Sequence, residues 1–164
     1  MEAYAKVDPS CLRASPAALW WYSHRPAPND LDIHLERRAD YDGLAVRWGI
    51  GHTLGSVEAC GEACRQHVPT PGDPHYGALP CNAFTFCDAD ACFEPDAHAH
   101  SRGDCWLKFT EGPAAPEVNM RGRVSAAARA RHPAAPELVQ WHSGVLLPHG
   151  VDLTNGTWGP RYNW

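Results

Sequence analysis

The clearest periodic stretch is SVEACGEACRQHVP, residues 56–69. Val57, Cys60 and Cys64 recur at steps of three and four, so a helix carries them on one face. Ser56 is a natural N-cap, and Glu58 falls in the first turn, where the helix dipole favours an acid. Arg65 and His67 fall in the last turn, and Pro69 prevents continuation. Such a helix has about three turns and little apolar area, so it is marginal in water without anchoring. CNAFTFC, residues 81–87, is dense in aromatics and threonine and predicts a strand. CWLKF, residues 105–109, predicts a second strand, with Cys105, Leu107 and Phe109 on one side and Trp106 and Lys108 on the other.

The weaker signals fill in around these elements. Asp42-Gly43 marks a turn, and Leu44–Trp48 follows as a short strand. ELVQWHSGVLL, residues 137–147, is the last strand expected. Residues 69–80 and 88–104 are long loops, the second acidic. Residues 1–38 show a Trp20-Trp21-Tyr22 cluster and a proline-rich turn but no clear period. The stretch RVSAAARARH reads as a helical turn or an exposed loop, and Arg121, Arg123, Arg129 and Arg131 around it read as a solvated basic stretch. Residues 148–164 show no period.

Composition narrows the class. The chain has 164 residues, 44% hydrophobic and 20% charged, which suits one globular domain with flanks. Fifteen prolines and 14 glycines imply many loops. The formal charge of −5, with no dominant basic block, disfavours a nucleic-acid surface. No apolar run is long enough to span a membrane. The segment AALWWY is too short for a secretory signal core. Seven cysteines in a small loop-rich chain nevertheless suggest an oxidising compartment.

Those cysteines admit three chemistries. As disulfides, they leave too many pairings for spacing to choose among. As zinc ligands, only the C-x3-C pair Cys60/Cys64 has knuckle spacing, with His98 and His100 near enough in sequence to complete a site. As a nucleophile, a cysteine needs a partner histidine and a lowered pKa, and no elbow or Gly-rich motif surrounds any of the seven.

The order SVEACGEACRQH, CNAFTFC, GDCWLKF, WHSGV resembles a PAN/Apple domain, over roughly residues 39–147. The resemblance implies an α+β fold: a small curved antiparallel sheet packed on one helix and stapled to it by disulfides. It implies the pairs Cys60–Cys105 and Cys64–Cys81. No cysteine follows Cys105, so the shorter PAN form without a terminal bridge is the match. Cys87–Cys92 is then left as a local bridge, and Cys11 as a free or intermolecular thiol. A regular strand would turn Cys81 away from Phe84 and Phe86, so either Cys81 sits at a bent strand end or the sheet is covered on both faces.

The resemblance implies a non-catalytic extracellular recognition module for protein or carbohydrate, part of a larger secreted or surface protein. No enzyme activity, cofactor or metal is expected. Tyr76, Phe93, His98 and Arg102 are the candidate binding residues, chosen from the two long loops. Asn155-Gly156-Thr157 is an N-glycosylation triplet. Asp88, Asp90 and Asp96 lack the glycine and distal glutamate of a calcium loop and read as an acidic hairpin tip. One alternative is a building block of an extracellular assembly, contacting through Trp20, Trp21, Trp158 and Trp164, with Tyr162 in the same terminal group. Another is an intracellular zinc-stabilised domain.

Overall fold

The computed structural model describes residues 8–73 and 76–158. Two short helices, α1 (Pro9–Arg13) and α2 (Pro16–His24), lead into β1 (Leu31–Glu36), β2 (Ala39–Tyr41) and β3 (Leu44–Arg47). Then come α3 (Val57–Gln66), β4 (Ala83–Cys87), β5 (Cys105–Phe109), β6 (Glu117–Arg121), α4 (Ala126–Arg131), β7 (Trp141–Pro148) and β8 (Thr157–Trp158). The main sheet is antiparallel with order β1-β7-β4-β5-β3, and a smaller sheet has order β2-β6-β8. The fold is α+β, with α3 laid across β4, β5 and β7.

α3 forms where its sequence pattern places it. The Ser56 hydroxyl accepts the Ala59 N–H, and Val57, Cys60, Gly61 and Cys64 are buried. Its inner face meets Leu31, Phe84, Phe86, Leu107 and Leu146 of the sheet. Phe84 fits because two glycines leave room for its ring. A Cβ on Gly144, the residue opposite Phe84 in β7, would lie 2.3 Å from Phe84 Cζ, and one on Gly61 would lie 2.9 Å from it.

Cys60 is bonded to Cys105, Cys64 to Cys81, and Cys87 to Cys92. These are the pairs the resemblance implies and the local bridge left over from it. Cys11 is free and exposed. Cys81 resolves its own geometric tension in both ways. It precedes β4, which begins at Ala83, and so escapes the alternation; and β4 is buried along its whole length.

The second face of the sheet is covered by β2 and β6, through Ala39, Tyr41 and Val118 packed on Ala83, Val145 and Leu147. Farther along, α4 and the 88–104 loop close over Trp141 and Cys87. Lys108, on the face opposite Cys105 and Leu107, is therefore only 4% exposed, and its ammonium donates to Tyr41 O at 2.7 Å.

Several elements depart from the sequence reading. Leu31–Glu36, inside the stretch taken as a flank, is a full strand of the main sheet, in register from Leu31↔Pro148 to Glu36↔Ser143. Leu12 and Ala18 of α1 and α2 are buried against Leu44, Leu79 and Phe109. In the stretch taken as a tail, Thr157–Trp158 pairs in parallel with Glu117–Val118. Arg121 is no solvated loop residue: it lies in β6 and grips the Glu36 carboxylate at 2.5 and 2.9 Å. Arg129 and Arg131 are exposed, as read, but on α4.

The chain-entropy model gives about 4, 3 and 2 kcal/mol for the bridges spanning 45, 17 and 5 residues. Replacing both Cys60 and Cys105 by alanine should therefore lower the unfolding free energy about twice as much as replacing Cys87 and Cys92, measured as the shift in urea midpoint at constant slope. Gly144→Ala should also destabilise, by about 1–3 kcal/mol from overpacking against Phe84.

Candidate functional site

The site lies on the face of the main sheet opposite α3, where β3 and β5 meet the 88–104 loop. A bulge interrupts the β3–β5 ladder between Ala45 and Arg47. Bulges re-aim the side chains that follow, and here Trp48 comes alongside Trp106 of β5, ring centroids 5.4 Å apart. Gly49 makes this packing feasible: a Cβ there would lie 2.3 Å from Trp106 Cδ1. His98 stands edge-on to Trp48 at 5.3 Å. Trp48, His98, Trp106, Tyr76 and Asp96 line a cleft of about 320 Å³, floored by Gly43 and Ala45. Trp48 is 54% exposed.

Beneath the cleft is a polar chamber of about 40 Å³, sharing Gly43, Ala45, Asp96 and Trp106 with it. Asp40, Glu94, His100 and Lys108 complete its polar wall, with Thr85 and Trp141 behind. His100 is wedged between Trp106 and Trp141, at 5.8 and 5.3 Å. Its Nε2 meets the Asp96 carboxylate at 2.9 Å, and the His98 N–H donates to the same carboxylate at 2.9 Å. Burial works against the Asp96 charge, but the hydrogen bonds from His100 and His98 outweigh it and hold the carboxyl below its ordinary range. Asp96 is thus a structural anion tucked inside the 88–104 loop rather than part of an acidic hairpin tip. Asp88 and Asp90 do lie at an exposed tip.

Of the four candidate binding residues, the fold brings Tyr76 and His98 together in this cleft. It sends Phe93 and Arg102 elsewhere. Phe93 packs with the α4 region, its ring 5.8 Å from His132, while its carbonyl accepts the Trp141 indole N–H. Arg102 is engaged by Asp88 and Asp90, at 3.5 and 3.1 Å. Asp88 also accepts from His142, whose Nδ1 accepts the Arg38 N–H, so the proton sits on Nε2. Trp48, Trp106 and Asp96 also belong to the cleft, a grouping the sequence pattern does not announce. The signal for them was slight: Trp48 ends a predicted strand, and Trp106 occupies the outer side of another.

The aromatic flanks are placed differently. Trp20 packs on the main core and stacks on His24 at 4.6 Å. Trp20 and Trp21 border an apolar groove of about 450 Å³ with Leu31, Pro113, Leu147 and Val151. Trp158 forms part of β8, whereas Tyr162 and Trp164 lie outside the described residues. Asn155 is exposed, just before β8.

Six of the seven cysteine sulfurs are bonded to one another, which removes them as zinc ligands or nucleophiles. Among the described residues no group of three or more His, Cys, Asp or Glu is placed to hold a metal ion, and no helix is long and apolar enough to cross a membrane. No family model matches the chain, and no curated protein or solved structure matches it either.

Asp96 gives the site a pH signature. Its folded-state pKa lies below the unfolded value of 3.8, so its contribution is complete above that value and is lost as pH falls through the folded pKa. Asp96→Asn should cost about 1.5–3 kcal/mol at pH 7, the worth of a hydrogen bond to a charged group. The melting temperatures of variant and parent should converge as pH falls through the lowered folded-state pKa, and thermal melts on an acid pH series check it.

Proposed function

We propose that this chain is a non-catalytic recognition module of the PAN/Apple type, part of a larger secreted or surface protein, and that its ligand is a carbohydrate bound in the Trp48–Trp106 cleft. The observation that carries this reading is the exposed Trp48 ring, set against Trp106 and His98 at the mouth of a cleft with a carboxylate in its wall. A large ring left in water forgoes about 25 cal/mol per Å² of burial. A pyranose has an apolar C–H face that covers such a ring and a hydroxyl rim that meets polar side chains. The cleft supplies both surfaces: indoles for stacking, and Asp96, His98 and the Tyr76 hydroxyl for the rim. Its volume falls at the low end of small-molecule pockets, about 300–1,000 Å³.

The helix-on-sheet arrangement with its two helix bridges supports the PAN/Apple assignment. Three disulfides are compatible with an extracellular or secretory location, and the exposed Asn155 triplet suits glycosylation there. The non-catalytic part of the reading draws support from the bonded sulfurs.

A glycan array followed by tryptophan-fluorescence titration of the best hit tests the proposal. Trp48→Ala, a change at an exposed position, should keep the fold and weaken binding about tenfold or more, as loss of a stacking ring does elsewhere. A parent protein that binds no glycan, or a Trp48→Ala protein that binds as the parent does, would refute it. Binding of a protein instead, lost on the same substitution, would move the ligand class and keep the site.

A further inference from the structure

The chamber under the cleft is lined by three residues, Asp40, His100 and Trp106, each with a buried polar atom that has no hydrogen-bond partner among the described residues. Asp40 is 1% exposed and His100 6% exposed, and both line the cavity. Among the described residues, Asp40 Oδ2, His100 Nδ1 and Trp106 Nε1 have no hydrogen-bond partner. Buried polar atoms are nearly always satisfied, and each one left bare costs on the order of 1–3 kcal/mol. Asp40 Oδ2 is an acceptor. His100 Nε2 faces the Asp96 carboxylate and donates to it, so on the neutral ring Nδ1 is an acceptor as well. A ligand that satisfies these two acceptors must bring two donors, and one that also satisfies the Trp106 N–H must carry an acceptor beside them, as a sugar hydroxyl next to an amine does.

Charge points the same way. Asp40, Glu94 and Asp96 border the chamber against the single ammonium of Lys108, which already donates to Tyr41 O. An anion would be repelled there. A chamber of about 40 Å³ admits a small substituent and no pyranose ring, because a single water needs about 10–15 Å³ on this measure. It opens on the aromatic cleft through Asp96 and Trp106, which line both.

We infer that the chamber receives a primary ammonium group carried on a pyranose stacked in the cleft, so that the site selects an amino sugar with a free amine. This rests on the carbohydrate reading above. The ammonium brings three N–H donors and a positive charge; Asp40 Oδ2 and His100 Nδ1 accept two of the three. An N-acetyl group would bring one donor, no charge and more bulk. A carboxylate would bring the wrong charge.

The test uses the whole chain and four methyl glycosides: glucosaminide, N-acetylglucosaminide, glucoside and glucuronide, titrated by calorimetry and tryptophan fluorescence, with n-butylamine as a further arm. The glucosaminide should bind about ten- to a hundredfold more tightly than the glucoside, as expected for a buried charge-assisted hydrogen bond, with the glucuronide weakest. Butylamine should bind far more weakly than the glucosaminide; equal binding would mean that the amine needs no sugar and would overturn the amino-sugar assignment. Asp40→Asn should abolish the preference for the amine. The selectivity of the parent protein decides the matter even where that variant does not fold. Glycosides that bind through Trp48 without amine preference would overturn this inference alone, leaving the chamber to ordered water. No Trp48-dependent binding of any glycoside would overturn it together with the carbohydrate reading.

Discussion

Two disulfides hold α3 against the centre of the main sheet, and most of the structure depends on that attachment. The helix is 10 residues long, too short to persist in water by itself. Cys60 and Cys64 sit one turn apart on its buried face, and their partners, Cys105 and Cys81, open or precede the two central strands. The helix is thereby fixed at both ends of its inner face, and Phe84 has one place to go, between the two glycines that make room for it. With one face of β4 and β5 closed, every residue of the opposite parity must find cover on the other side.

That second face is where the candidate site arises. β2 comes down on Thr85 and Ser143: the Ser143 hydroxyl accepts the Tyr41 N–H and donates to Ala39 O. The 88–104 loop, tied at its start by Cys87–Cys92, folds back so that Asp96 meets His100. Lys108 and Asp40 are trapped between these layers, and Trp106 and Trp48 form the rim. A purely apolar layer would have packed the same space more cheaply, since buried charges carry a desolvation penalty of several kcal/mol each. Carboxylates, an imidazole and an ammonium nevertheless occupy that layer.

The legible parts of the sequence were those with local rules. The Ser56 cap and the face formed by Val57, Cys60 and Cys64 stand in the structure as read, and the aromatic strand expected over 81–87 forms at 83–87. The bridge partners were legible only through a resemblance, because they join residues 17 and 45 apart and no local rule reaches so far. β1 was overlooked although Leu31, Ile33 and Leu35 alternate with Asp32, His34 and Glu36, a plain period of two. The helix α2 also carried its start signal, Ser15 capping with Pro16 at the first helical position. The burial of Lys108 was beyond reach, since it depends on a covering layer contributed by residues some 70 positions away. The cleft shares that difficulty: Trp48, Tyr76, His98 and Trp106 come from four separate segments, and their meeting is a product of tertiary structure alone.

The most direct measurement is non-reducing peptide mapping by mass spectrometry after alkylation of free thiols under denaturing conditions. The account predicts three cross-linked pairs, Cys60–Cys105, Cys64–Cys81 and Cys87–Cys92, with Cys11 alone taking the alkylating label. Label on Cys60, Cys64, Cys81 or Cys105 in the freshly folded protein, or a different set of pairs, would contradict it, because those two bridges are the covalent ties between the helix and the sheet.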